Sequence, residues 1–201
     1  AIPFLAVRDI EVGPVPVRAV RVGYVGELGY ELHVPTEYAP ALYEALKAAG
    51  AAFGIRDAGY RAIETCRLEK GYVYWSAEIG PDNDPLSAGL GATVDFGKEF
   101  IGRAALGAIR AEGPSRRLCV FTVEGFAPFL GGETILKNGS IVGQTASCGF
   151  GHTVGKTIAF GWIPSELADD QGFAIEAFGI AYPATRVSRT IYDPENVRLR
   201  S

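Results

Sequence analysis

The sequence predicts an α+β region followed by an all-β region, and three observations carry the prediction. Apolar residues at helical spacing occur only between positions 36 and 112. Short β-prone runs with turn signals between them fill the remainder. Between the two, Gly113-Pro114-Ser115 marks a change of character. The expected domains are therefore 1–113 and 114–201. The strand spacing of the second suits a sandwich or a barrel.

The elements follow in order. Residues Pro14 to Val22 alternate as a strand. A glycine-punctuated bend, Gly23-Tyr24-Val25-Gly26-Glu27-Leu28-Gly29, leads into a second strand, Tyr30 to Val34. There Tyr30, Leu32 and Val34 form the apolar set, so Glu31 and His33 point the other way. Thr36 is the expected N-cap of a helix carrying Tyr38, Leu42, Ala45, Leu46 and Ala49, with Pro40 in its first turn and Gly50 as its stop. A second helix is expected from an Asp57 cap to about Glu69, ended by Gly71. Tyr72-Val73-Tyr74-Trp75 is aromatic and β-prone, and Gly80 to Gly91 reads as a loop. Leu90 to Phe96 is expected to be a strand, and Gly102 to Glu112 a short helix with Ala105, Leu106 and Ile109 facing inward. In the second domain strands are expected at Leu118 to Val123, Ile158 to Ile163, Phe173 to Phe178 and Ala184 to Ile191. Asn138-Gly139 between Ile135-Leu136 and Ile141-Val142 is the strongest hairpin signal.

Composition narrows the function. A hydrophobic fraction of 48% supplies enough apolar surface to exclude disorder as the main state. The net charge of −4 gives no general field for nucleic acid, and no apolar run approaches a membrane span. The cysteines, Cys66, Cys119 and Cys148, make no disulfide framework, which favours a reducing compartment, the cytoplasm or an organelle matrix. The chain contains no methionine, even at its start, so it is expected either to begin after processing or to be a portion of a longer polypeptide.

Several chemistries can be set aside. His33 and His152 have no Cys or His partner at ligand spacing, so no metal site is expected. The run from Gly149 to Thr157 lacks the first glycine of a phosphate loop and no helix follows it, so it reads as a strand connection. No nucleophile elbow is present, and Cys66 reads as a packed thiol. What remains suits a flat heteroaromatic ligand with an acidic tail: Tyr24 and Glu31, Arg61 and Arg67, and the Tyr72, Tyr74 and Trp75 cluster. A carboxylate accepts paired hydrogen bonds from an amidine-like edge such as that of a pterin. Aromatic rings supply stacking area, and arginines can clamp a carboxylate. The plainer alternative places the aromatics in the core and Arg67 and Glu69 in structural ion pairs.

The segment Gly-Tyr-Val-Gly-Glu-Leu-Gly-Tyr-Glu-Leu at 23–32 resembles a signature of the glycine-cleavage T-protein (aminomethyltransferase) family. So do Arg67-Leu68-Glu69-Lys70-Gly71, Asp84-Pro85-Leu86-Ser87-Ala88-Gly89-Leu90 and Phe100-Ile101-Gly102-Arg103-Ala104-Ala105-Leu106. With Tyr192-Asp193-Pro194-Glu195, the wording is most similar to the C-terminal folate-binding region of sarcosine and dimethylglycine dehydrogenases. The resemblance implies a folate-binding α+β region followed by an antiparallel β-barrel. It implies tetrahydrofolate as cofactor and transfer of a one-carbon unit from a methylated amine. It places Glu31 on the donor edge of the pterin, and Tyr24, Arg61, Arg67, Tyr74 and Trp75, chosen above for their residue types, remain the further candidate contacts. FAD would belong to a preceding domain, and the partners would be a small-molecule folate and the remainder of a longer polypeptide or an oxidoreductase subunit. In a eukaryote the mitochondrial matrix would be the compartment. The chain departs from the pattern at Ile63, where the family has an arginine, and at Ser87, where it has glutamate. The family's catalytic aspartate lies upstream of the segments matched here, so no catalytic residue is assigned. The competing readings are a folate-binding assembly module, disfavoured because 97–103 lacks that group's cysteine, and a folate-dependent demethylase of a small sulfonium or ether compound. A tRNA-modifying role is disfavoured by the acidic balance.

Overall fold

The computed structural model describes residues 2–201, and the chain divides into two compact units. The first comprises 1–66 and 193–201, and the second comprises 67–192.

In the first unit, strands β1 (Val7–Val12), β2 (Val15–Val20) and β3 (Glu31–His33) form an antiparallel sheet in the order β1-β2-β3. β2 alternates buried and exposed residues, and Val15 and Val17 pack with Leu42, Leu32, Val34 and Leu46. This is the expected sheet-on-helix arrangement, with helix α1 (Ala39–Gly50) supplying Leu42 and Leu46. β1 has no signature in the sequence, because its residues Val7 to Ile10 are exposed on both faces and carry no apolar alternation.

The helix caps differ from expectation. Thr36 does not cap α1; it opens a 3-10 turn, Thr36–Tyr38, and no side chain caps either segment. Pro40 does lie in the first turn of α1. The α-helix ends at Gly50 as expected, and a 3-10 turn, Ala51–Phe53, follows it to Gly54 at φ 71°. Helix α2 spans Tyr60–Lys70. Asp57 does not cap it, because its carboxylate accepts from Tyr43 Oη at 3.0 Å and Lys47 Nζ at 3.2 Å.

The second unit is built on a closed barrel. Strands β4 (Arg116–Glu124), β5 (Thr134–Lys137), β6 (Ser140–Gly151), β7 (Lys156–Pro164), β8 (Phe173–Ala177) and β9 (Ile180–Val187) follow each other in the order β4-β7-β6-β5-β8-β9. Every pairing is antiparallel. Alternate residues Cys119, Phe121 and Val123 of β4 enter the interior with Ile135, Ala159, Ile163, Phe173 and Ile175. The β5–β6 hairpin is the expected one: Asn138 and Gly139 both take positive φ, 51° and 78°, as a two-residue primed turn requires. The barrel closes where Val120–Thr122 of β4 meet Thr185–Val187 of β9.

The opposite face of β4 and β7 is also buried. Val120, Ile158 and Phe160 pack there against Leu68, from the last turn of α2. That turn ends in a Schellman motif, with Gly71 N–H bonded to Leu68 O and Tyr72 N–H to Arg67 O. Gly71 is required twice: its φ is +80°, and a Cβ would stand 2.3 Å from Arg189 O.

Three further expectations are corrected. Leu90 to Phe96 is not a strand; it holds a 3-10 turn at Gly91–Thr93, and Thr93 Oγ1 and Asp95 Oδ1 bond to nearby backbone, competing with a ladder. β9 starts earlier than Ala184 and ends before Ile191. Pro183 lies inside it, where only β8 pairs with it, so its missing N–H leaves no gap in the β4 ladder. In helix α3 (Arg103–Glu112), Leu106 and Ile109 are half-buried as expected, whereas Ala105 is exposed.

Candidate functional site

Of the candidate residues in the first unit, Tyr24 lies in the bend between β2 and β3 and Glu31 opens β3 just after it. The bend folds on itself closely enough that a Cβ at Gly23 would meet Glu27 O at 3.0 Å. β3 then pairs with β2, Val20 opposite Glu31 and Arg18 opposite His33. Leu32 turns to the core while Glu31 and His33 share the open face. Glu31 Oε2 lies 3.3 Å from His33 Nε2, and the Glu31 side chain is 58% exposed. A polar pair this open contributes no more than about 1 kcal/mol. The carboxylate is therefore easily taken over by a better donor. Glu27 differs, facing Arg198 at 3.6 Å. Tyr24 is half-buried, and Arg61, near the start of α2, is exposed.

In the second unit Arg67 anchors a buried network. Its Nη1 donates to Glu78 Oε2 at 2.9 Å and to Tyr72 O at 3.0 Å, and its Nη2 donates to Ser147 Oγ at 2.7 Å. Both charged side chains are fully enclosed, and the guanidinium lies over the Phe160 ring at 5.6 Å. Glu78 Oε2 also accepts from Tyr74 N at 2.7 Å, while Glu78 Oε1 is buried with no hydrogen-bond partner. Trp162 Nε1 donates to Glu78 O at 3.2 Å. The Tyr72 to Trp75 run is thus no strand. Tyr74 O gathers the N–H groups of Ala77, Glu78 and Ile79, Ser76 adopts φ 71°, and one bridge joins Trp75 to Ile79. This turn presents Tyr74 and Trp75 at the surface, with Trp75 62% exposed.

Tyr24, Glu31 and Arg61 thus belong to the first unit, and Arg67, Tyr74 and Trp75 to the second. Arg67 and the Tyr74 backbone share one oxygen of Glu78. Sequence reasoning missed Glu78 and Ser147. Glu78 lies in an irregular turn where no periodicity assigns a face, and its one signal is a charge set between Ala77 and Ile79. Glu69 pairs with the backbone and not with Arg67: its Oε1 accepts from Thr153 N at 2.7 Å and Val154 N at 3.2 Å. The amides of the turn between β6 and β7 are therefore occupied by a carboxylate of the protein itself.

The other reactive side chains are quiescent. Burial pushes the Cys148 thiol far above its ordinary range, and burial raises Cys119 as well. Cys66 is half-buried on α2. No group of three or more His, Cys, Asp or Glu side chains among the described residues is placed to hold a metal ion. Among the same residues no helix is long and apolar enough to cross a membrane.

Comparison with known proteins fits this architecture. Residues 1–98 match the family described as GCVT N-terminal domain, and residues 116–193 match the glycine cleavage T-protein C-terminal barrel domain. Mitochondrial sarcosine dehydrogenase of Mus musculus is 41% identical over 210 residues, covering 100% of this chain and 23% of that protein. Mitochondrial dimethylglycine dehydrogenase of Mus musculus is 37% identical, covering 100% of this chain and 24% of that protein. An aminomethyltransferase of Halothermothrix orenii is 40% identical over 149 residues, covering 74% of this chain and 42% of that protein. The chain thus spans about a quarter of the dehydrogenases' length and less than half of the transferase's. The crystal structure of glycine cleavage system aminomethyltransferase T from Bartonella henselae superposes with a TM-score of 0.81 at 26% identity, covering 89% of this chain and 50% of that one. An α+β region ending in a six-stranded antiparallel barrel, with both family domains in order, places this chain in the glycine-cleavage T-protein (aminomethyltransferase) family, among the relatives of sarcosine and dimethylglycine dehydrogenases.

Proposed function

We propose that this chain is the tetrahydrofolate-binding part of an enzyme that moves a one-carbon unit from a methylated amine to the folate. The observation that carries the reading is 41% identity to a sarcosine dehydrogenase along the whole chain, with Glu31 open on its strand. In this reading Glu31 accepts from the N–H and NH₂ donors of the pterin, a charge-assisted pair. Tyr24 supplies apolar ring surface, and exposed Arg61 meets the carboxylate tail. In the second unit Arg67, enclosed by Glu78, Ser147 and Tyr72 O, holds the turn that bears the further candidate contacts Tyr74 and Trp75. When bound, tetrahydrofolate supplies the nitrogens that accept the one-carbon unit. The protein's own contribution here is binding and orientation, and no residue of the chain is assigned as the proton-transferring group. A flavin-dependent N-demethylating dehydrogenase would deliver the unit, and it would form the remainder of a longer polypeptide or a separate subunit.

Calorimetric titration of the complete gene product with tetrahydrofolate tests the reading. Glu31→Ala is expected to weaken binding by about 1.5–3 kcal/mol, the worth of a charged hydrogen bond. Glu27→Ala, whose carboxylate faces Arg198, is expected to leave the affinity unchanged. Equal affinity of the Glu31→Ala variant and the parent removes Glu31 from the site. Sequence upstream of this chain that lacks a dinucleotide-binding Gly-x-Gly-x-x-Gly unit speaks against a flavin domain in the same polypeptide.

A further inference from the structure

Four arginines of the second unit, Arg110, Arg117, Arg186 and Arg189, line one cavity of about 480 Å³. They come from separate elements: α3, β4, β9 and the segment after β9, with Ser87 of the 84–91 loop beside them. Their charge is almost uncompensated. Arg110 and Arg117 have no carboxylate within ion-pair distance among the described residues, and Arg110 lies over the Phe96 ring at 4.9 Å. Arg186 reaches only Asp169, at 3.8 Å, and its Nε is buried without an acceptor. Arg189 donates to the carbonyls of Gly71, Ala88 and Gly89 at 2.8–3.0 Å and to no acid.

The acids that could neutralise the cluster are engaged elsewhere. Asp84 accepts from Leu86 N and Ser87 N, each at 2.9 Å, and from Ser87 Oγ. Glu78, whose field reaches Arg189, is paired with Arg67 at 2.9 Å. Burial holds Arg189 below the ordinary arginine range despite Glu78, the signature of a desolvated charge that lacks a counter-ion. Like charges gathered in a concave, partly desolvated wall repel one another, and an anion seated among them removes that cost. The planar guanidinium fork matches carboxylate and phosphate oxygens two at a time. The volume falls within the range of small-ligand sites and is too small for a folded partner.

We propose that this cavity binds a small oxyanion of two or more charges, a phosphate group or clustered carboxylates. It shares no residue with the folate contacts proposed above and does not depend on them. The test is calorimetry and thermal unfolding of the complete gene product with inorganic phosphate and with citrate, against sodium chloride at equal ionic strength. At least one of the two oxyanions is expected to bind and to raise the unfolding temperature beyond chloride, and the tighter one identifies the class. Arg117→Gln with Arg186→Gln is expected to weaken that binding about tenfold or more, as loss of charged hydrogen bonds requires. Arg110→Glu, an exposed helix position, is expected to weaken it without disturbing the barrel, and Arg8→Gln in the first unit is expected to leave it intact. No binding of either oxyanion beyond chloride overturns the proposal. So does equal affinity in the parent, the Arg117→Gln/Arg186→Gln protein and Arg110→Glu.

Discussion

Two acid–base pairs in this molecule have similar separations and opposite settings. Arg67 and Glu78 meet at 2.9 Å with both side chains fully enclosed, whereas Glu31 and His33 meet at 3.3 Å with both more than half exposed. In the second unit the charges are committed: they tie the last turn of α2 to an irregular turn and to Ser147. Water weakens the pair in the first unit, so its carboxylate remains available to a ligand. Removing one partner of an enclosed pair strands a charge in low dielectric, whereas removing one partner of an open pair returns the other to water.

Substitutions can break this contrast, from the largest effect to the smallest. Glu78→Ala is expected to destabilise the second unit by about 3–5 kcal/mol in urea unfolding, because it removes the enclosed carboxylate to which the buried Arg67 donates. Replacing both, with Arg67→Met and Glu78→Leu, is expected to cost clearly less than the sum of the single changes. An additive result denies the pair its coupling. Ile135→Ala, at a fully buried barrel position, is expected to cost about 2–5 kcal/mol by the same measurement. Gly71→Ala is expected to cost about 1–3 kcal/mol from backbone strain, with the Arg189 carbonyl adding to it.

Acid titration adds a smaller effect with a definite sign. Burial acts to raise the Asp84 carboxyl, but hydrogen bonds from Ser87 and Leu86 outweigh it and hold the group below the ordinary aspartate range. A lowered folded-state value means stability that is present above the unfolded value and lost as pH falls through the folded one. Asp84→Asn is therefore expected to flatten the acid side of the stability profile and leave the alkaline side unchanged. A profile that keeps its full acid slope assigns that slope to other carboxylates, such as Glu133, which Thr145 and Leu130 hold low against burial. Glu31→Ala closes the series. Its stability is expected to stay within about 0.5 kcal/mol of the parent, as at other surface positions. A larger loss would make Glu31 a structural residue.

Much of the fold was legible because its signals are local. The Asn138-Gly139 turn, the α1 stripe through Leu42 and Leu46 and the Gly71 stop each depend on a few neighbouring residues. What stayed hidden depends on distant partners. β1 has no buried face to set a period, and Asp57 looks like a cap until Tyr43 and Lys47 claim its carboxylate. The site divides the same way. Glu31 facing outward follows from strand alternation. Burial of the entire Arg67-Leu68-Glu69-Lys70 turn does not, since a run with three charges reads as a solvated face until the barrel wall covers it.

The barrel seam has a consequence for motion. β4 pairs with β7 from Arg116 to Glu124, but it reaches β9 only from Val120 to Thr122. Amides along that short closure have the fewest neighbouring ladder bonds to break before water enters. Hydrogen–deuterium exchange should therefore unzip the cylinder first at Thr185–Val187, with the long β4–β7 wall exchanging only when the whole unit unfolds.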